Sequence, residues 1–164
     1  TPLEISSMAD IASGTGLGSS SSYTVGLLNG LNALLRRHVS VQELAEEACK
    51  VEMELIGKPV GKQDQYAAAF GGIIALNIDR TGKVIVERLN LEKEFLAELQ
   101  HRLMIFYTNI QRDANEILGD QQMQILKKNN HHSLEAMHKI KNIGVDIKEA
   151  LEQGDIEALG SLPK

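Results

Sequence analysis

Tryptophan is absent, cysteine occurs once and proline three times in the 164 residues, and aromatic side chains make up only 4%. With Cys49 alone, no intramolecular disulfide can form, which points to a reducing, cytoplasmic setting rather than a disulfide-stapled scaffold. No apolar run approaches the roughly 20 residues of a membrane-spanning helix, and no basic-then-apolar leader opens the chain. Neither charge sign forms a long block: 17 Lys+Arg against 22 Asp+Glu give a net charge of -5, which argues against nucleic acid as a partner. An initiator methionine is also missing and the chain stops straight after a helical pattern, so a fragment of a longer protein is expected.

What is present is an apolar fraction of 43%, enough for a folded core. Residues 3–7 read as a short strand. From Ser19 to Leu35 the residues Tyr23, Leu27, Leu28, Leu31, Leu34 and Leu35 recur at helical steps. Ser40 and Glu43 form a capping-box pair at the head of a second helix, whose stripe of Val41, Leu44, Ala45, Ala48, Val51 and Leu55 runs to Gly57. A Pro/Gly loop over 58–63 precedes a short helix through Phe70, ended by Gly71-Gly72. Residues 72–78 and 83–89 then predict a β-hairpin closed by Asp79-Arg80-Thr81-Gly82. The composition shifts after Glu92. The run Leu103-Met104-Ile105-Phe106-Tyr107 suits a central strand over 101–108, and from Ala114 the pattern is mostly helical to Gly154. Met104, Met123 and Met137 read as core fillers. A domain boundary falls near residues 90–100.

The sharpest local signal is Gly14-Thr15-Gly16-Leu17-Gly18, three glycines in five positions, followed by four serines at 19 to 22. Glycines let backbone N–H groups approach an anion closely, and the helix opening at Ser19 adds its positive end. Serine hydroxyls in that first turn can bond phosphate or ligate Mg²⁺. A Walker A loop is excluded because Gly18 is followed by Ser19 rather than Lys, and the glycine spacing is not that of a dinucleotide fold. A flexible Gly/Ser linker is the bland alternative, but a linker has no reason to open a strongly periodic helix.

Two acidic residues stand out. Stepping about 100° per residue from Leu44 puts Glu52 inside the apolar arc of the second helix, where a carboxylate is costly unless paired or bound to a metal. The alternative is a side chain at the edge of the stripe that snorkels to water or pairs with a Lys. By residue type alone, Asp64 reads as the N-cap of the short third helix.

The stretch from Ile11 to Ser22, Gly14-Thr15-Gly16-Leu17-Gly18-Ser19-Ser20 at its centre, resembles the phosphate-binding motif of the GHMP kinases, and Gly61-Lys62-Gln63-Asp64-Gln65 resembles their second motif. The likeness covers the chain from Ile11 to about Leu118. Within the family it is greatest to the sugar kinases that act on heptoses, through Val25-Gly26-Leu27-Leu28-Asn29, residues 57–68 and Tyr107-Thr108. It implies an α+β, GHMP-kinase-like fold: a partial ribosomal-protein-S5-type N-terminal nucleotide-binding domain at 1–95, then the start of a ferredoxin-like C-terminal domain at 96–164. It further implies phosphoryl transfer from MgATP to the anomeric hydroxyl of a heptose 7-phosphate or related sugar, with ATP and Mg²⁺ as cofactors.

Carried over by position, Gly14, Thr15, Gly16, Leu17, Gly18, Ser19, Ser20 and Ser21 would cradle the phosphates. Ser20 and Glu52 would hold the metal, and Asp64 would be the catalytic base. Arg112 is a candidate for touching a sugar phosphate, with a surface ion pair an equal reading. The implied partners are a nucleotide and a sugar or sugar phosphate, with a homodimer left open. Residues 11–13 lack the family's proline, and neither its earlier strands nor its third, glycine-rich motif is found. A truncated, non-catalytic nucleotide-binding or interaction module is therefore the rival. His131-His132 is not a metal pair on this reading, since adjacent histidines face apart and lack a third ligand.

Overall fold

The computed structural model of the chain describes residues 3–10, 15–106 and 131–162. Gly14, Tyr107, Thr108, Arg112 and Met123 lie outside the described residues, as do the helical stretch expected over 114–130 and the side chains of His131 and His132.

Helix α1 (Ser19–Leu34) follows the glycine loop directly. Helix α2 (Val41–Cys49) runs without a break into a wider π-helical turn at Lys50–Leu55, and α3 (Gln63–Phe70) comes next. Strands β1 (Ile74–Ile78) and β2 (Val84–Arg88) pair antiparallel, Ile74 opposite Arg88 and Ile78 opposite Val84. Helices α4 (Lys93–Arg102), α5 (His131–Gln153) and α6 (Ile156–Ser161) complete the described elements. Helices around an antiparallel hairpin make the α+β class expected from the sequence.

Local chemistry explains the boundaries. The Ser40 hydroxyl accepts from Glu43 N–H at 3.2 Å while Glu43 Oε2 accepts from Ser40 N–H at 2.7 Å, the reciprocal cap that starts α2. In the hairpin turn, Asp79 Oδ1 accepts from Thr81 N–H, Thr81 Oγ1 and Lys83 N–H.

Small residues let the first three helices approach closely. Ala45 and Ala48 are fully buried, and Val25 and Leu44 pack on Ala48. Ala45, Cys49, Tyr66 and Val84 form a second cluster that joins α2 and α3 to the hairpin. Tyr66 stacks on Phe70 with ring centroids 5.9 Å apart, and its hydroxyl donates to Glu46 and accepts from Gln42 Nε2 at 2.6 Å. Helix α5 reaches the hairpin through Lys148, which pairs with Glu87 at 3.2 Å. Arg102 joins α4 to α6 through Glu157 at 3.2 Å.

Several expectations are corrected. Residues 3–7 form no strand, and Leu3 and Ile5 are exposed. Leu103 to Phe106 form none either, and Met104 is 76% exposed, so neither it nor Met137 fills a core. A strand needs a neighbour to take its hydrogen bonds, and among the described residues the sheet consists of β1 and β2. On α1 the inward face is Ser21, Val25 and Asn32, while Tyr23, Leu34 and Leu35 are exposed. The buried polar residues there meet acidic partners: Ser21 donates to Glu52 and Asn32 to Glu47. Leu55 is 72% exposed. The π turn bonds Ile56 N–H to Val51 O at 3.0 Å, so each residue advances by less than in an α-helix and Leu55 falls short of the arc.

Ser40→Ala removes one half of the cap of α2. The expected loss is about 1 kcal/mol, a fall in Tm of about 2–4 °C by thermal denaturation; an unchanged Tm would mean the cap does not hold α2.

Candidate active site

The glycine loop bends where L side chains fit poorly. Gly16 has φ 75° and Gly18 has φ 66°, both left-handed, which turns the chain sharply into α1. The first intrahelical bond is Ser22 N–H to Gly18 O at 2.9 Å. The N–H groups of Ser19, Ser20 and Ser21 therefore have no carbonyl one turn back, and they add to the positive end of the helix. Thr15 lies half-buried at the start of the bend, and Leu17 is exposed.

Glu52 is buried, at 1% exposure, and four donors surround it. Ser20 Oγ donates to Oε1 at 2.5 Å, and Ser21 Oγ and Gln65 Nε2 both donate to Oε2 at 2.6 Å. Lys58 Nζ reaches Oε1 at 3.3 Å and Ser20 Oγ at 2.6 Å. Burial alone would raise the pKa of this carboxyl, but the bonds from Ser20, Ser21, Gln65 and Lys58 together outweigh it and hold the group below its ordinary 4.5. The side chain does not snorkel; it does pair with a lysine, as the alternative reading allowed.

Asp64 is not an N-cap. Helix α3 is entered from Lys62 with no side-chain cap, and Asp64 stands exposed in the first turn with its carboxyl against the loop. A methyl group added at Gly18 would lie 3.1 Å from Asp64 Cγ and 3.3 Å from Oδ2. One residue on, Gln65 points the other way into the core and binds Glu52. Lys62 fixes the head of α3: its ammonium donates to Glu46 Oε2 at 2.9 Å and to the Gly82 carbonyl at 3.0 Å.

The structure thus brings Thr15 to Ser21, Glu52 and Asp64 into one region. Gly14 and Arg112 are outside the described residues. Sequence reasoning missed Lys58, Gln65 and Lys62 as parts of the site. The signal for Lys58 was Gly57, whose φ of 75° turns the chain back so that Lys58 N–H bonds Glu52 O at 2.9 Å. Gln65 was legible only as the inward neighbour of an outward Asp64.

The donor set suits a hard divalent cation. Ser20 Oγ and Glu52 Oε1 converge on a point that already receives an ammonium, and Mg²⁺ ordinarily takes one or two carboxylates and completes its shell with substrate phosphate and water. No cluster of three or more His, Cys, Asp or Glu that could hold a metal by itself occurs among the described residues. Burial pushes the Cys49 thiol up to about 11, so it is no ready nucleophile.

Residues 1–72 match the GHMP kinases N terminal domain. The chain is 36% identical over 154 residues to a D-glycero-alpha-D-manno-heptose 7-phosphate kinase of Campylobacter jejuni, covering 94% of this chain and 44% of that protein. It is 27% identical to a galactokinase of Pyrococcus furiosus, covering 93% and 48%. A crystal structure described as a D-glycero-D-manno-heptose 1-phosphate kinase from Bacteriodes thetaiotaomicron superposes with a TM-score of 0.76 at 30% identity, over 93% of this chain and 43% of that one. Residues 1–72 are therefore similar to the N-terminal domain of the GHMP kinases, and the chain has the fold of its solved neighbour and is similar to heptose phosphate kinases. It spans a little under half the length of these relatives.

Two outcomes follow from this geometry. Gly18→Ala forces a side chain into a left-handed position and against Asp64, costing about 1–3 kcal/mol. In an Asp64→Ala background the same change costs less, and a double-mutant cycle by denaturant unfolding with no coupling would disprove the contact. Because the folded pKa of Glu52 is depressed, its contribution to stability is present above the unfolded value of 4.5 and is lost as pH falls through that region and below. Unfolding of Glu52→Gln, followed from neutral pH downward, should depend less on pH than the wild type; parallel curves would contradict this.

Proposed function

We propose that this chain supplies the nucleotide-phosphate loop, metal-holding pair and catalytic base of an ATP-dependent sugar kinase. The reaction is transfer of the γ-phosphoryl group of MgATP to the anomeric hydroxyl of a heptose 7-phosphate or related sugar. The observation that carries this reading is the contact between Asp64 and Gly18. That carboxylate, which no ammonium or guanidinium engages among the described residues, stands beside the loop that opens α1.

The backbone N–H groups of the loop residues Gly14 to Gly18 and of Ser19 to Ser21, with the positive end of α1, hold and neutralise the phosphate oxygens. Ser20 and Glu52 are the residues that would hold Mg²⁺, which supplies charge neutralisation on the β- and γ-phosphates. Asp64 accepts the proton of the attacking hydroxyl as the new O–P bond forms and the bond to ADP breaks. Lys62 and Gln65 keep α3 in place, so the carboxylate meets the phosphate end of the loop rather than solvent at large. The heptose assignment is supported by the similarity to proteins named for heptose phosphates; Arg112 is the proposed contact for the substrate's own phosphate. The reaction belongs in the cytoplasm, where ATP is available and a lone thiol stays reduced.

Asp64→Asn keeps the size of the side chain and removes the base. In the complete reading frame that contains this chain, ADP release against a panel of sugars and sugar phosphates should fall by about 10²- to 10⁴-fold. MgADP affinity by calorimetry should stay within a few-fold. Full turnover in the variant, or no nucleotide binding by the wild-type protein, would overturn the assignment.

A further inference from the structure

Among the described residues, Lys58 is the one cation at the Ser20–Glu52 pair, and the proposed mechanism does not use it. Nζ lies 2.6 Å from Ser20 Oγ and 3.3 Å from Glu52 Oε1, and those two oxygens are themselves 2.5 Å apart. The other carboxylate oxygen, Oε2, is taken by Ser21 and Gln65 at 2.6 Å each. Glu52 therefore turns a single oxygen toward one cation, and that cation is Lys58.

We propose that Lys58 is the resident counter-ion of the Ser20–Glu52 pair: its ammonium holds the metal position in the nucleotide-free protein and must leave before Mg²⁺ can enter. This rests on the reading of Ser20 and Glu52 as metal-holding residues. A metal taking both oxygens would stand about 2.0–2.1 Å from each, and a dication would repel an ammonium that holds the same two oxygens, so the two would compete for them.

The arrangement solves two problems at once. A carboxylate at 1% exposure cannot stand without a partner cation, since an unpaired buried charge is strongly destabilising. Lys58 meets that need between catalytic cycles. Its own side chain is 30% exposed, so the ammonium has a path to water when the metal arrives. The backbone stays put throughout: the left-handed Gly57 and the 2.9 Å bond from Lys58 N–H to Glu52 O keep the lysine stem beside the carboxylate. Exchange of one cation for another then needs rotation about side-chain bonds only, and the carboxylate keeps a cation in both states. Apparent metal affinity is reduced by the fraction of molecules in which Lys58 occupies the site.

The test is the Mg²⁺ dependence of ADP binding by the complete protein, measured by calorimetry over a series of Mg²⁺ concentrations. Lys58→Met keeps the apolar stem and removes the charge; the Mg²⁺ concentration at half-effect should fall by about tenfold. Lys58→Arg, with a planar fork suited to carboxylates, holds the position more firmly and should raise it. Glu52→Gln should abolish the Mg²⁺ dependence. An unchanged or raised midpoint in Lys58→Met, with Mg²⁺-dependent binding intact in the wild type, overturns the role of Lys58 and leaves the kinase reading standing. If circular dichroism shows Lys58→Met unfolded, Lys58→Arg decides: a raised midpoint supports the proposal, and an unchanged or lowered one overturns it. Absence of Mg²⁺-dependent binding in the wild type overturns the metal role of the pair, and this proposal with it.

Discussion

A single buried carboxylate ties the first three helical segments of this protein together. Glu52 receives hydrogen bonds from Ser20 and Ser21 on α1, from Lys58 in the following loop and from Gln65 on α3, while its own backbone belongs to the π turn that ends the α2 segment. Three helical segments therefore meet at one charge. Such a group is expensive to bury and stable only while every donor is in place, so it fixes how α1 and α3 lie against α2. The alanines at 45 and 48 permit the close approach, and the carboxylate gives it a register.

That register sets the geometry of the candidate site. Ser20 and Ser21 hold the first turn of α1, which leaves the glycine bend and the N–H groups of that turn facing outward. Gln65 holds the first turn of α3 from inside, and because neighbouring helical residues point about 100° apart, its anchoring leaves Asp64 on the side of the loop. The contact of Asp64 with Gly18 and the hold of Glu52 on Ser20 are thus two consequences of one packing arrangement. The network around Glu46, Lys62 and Tyr66 supports the same helix from its other side and joins it to the hairpin turn at Gly82.

Much of this was legible in residue patterns. Helical spacing located α1, and α2 together with its π turn, to within a residue or two, the Ser40/Glu43 pair marked the cap, and Asp79 to Gly82 marked the hairpin. Glu52 stood out because a carboxylate broke an apolar arc. What remained hidden depended on long-range contacts. Periodicity read Tyr23, Leu34 and Leu35 only as helical steps and did not say which face is buried: these three are exposed, while Ser21 and Asn32 turn inward because they find acidic partners on a distant helix. The apolar run at 103–106 promised a strand, but a strand is defined by a neighbour that no local pattern reveals. Asp64 looked like a helix cap by residue type; family resemblance, not composition, marked it as a base. Lys58 escaped notice because a lysine after a glycine is an ordinary surface residue until the chain reversal at Gly57 folds it back.

The account turns on whether a nucleotide's phosphates lie against the bend at Thr15 to Ser21 with the carboxylate of Asp64 facing them. A crystal structure of the complete protein with Mg²⁺ and a non-hydrolysable ATP analogue tests this most directly. The account predicts phosphate oxygens on the backbone N–H groups that open α1 and Asp64 within hydrogen-bond reach of the space beyond the γ-phosphate. Phosphates bound elsewhere, or an Asp64 carboxylate turned away from them, would contradict it.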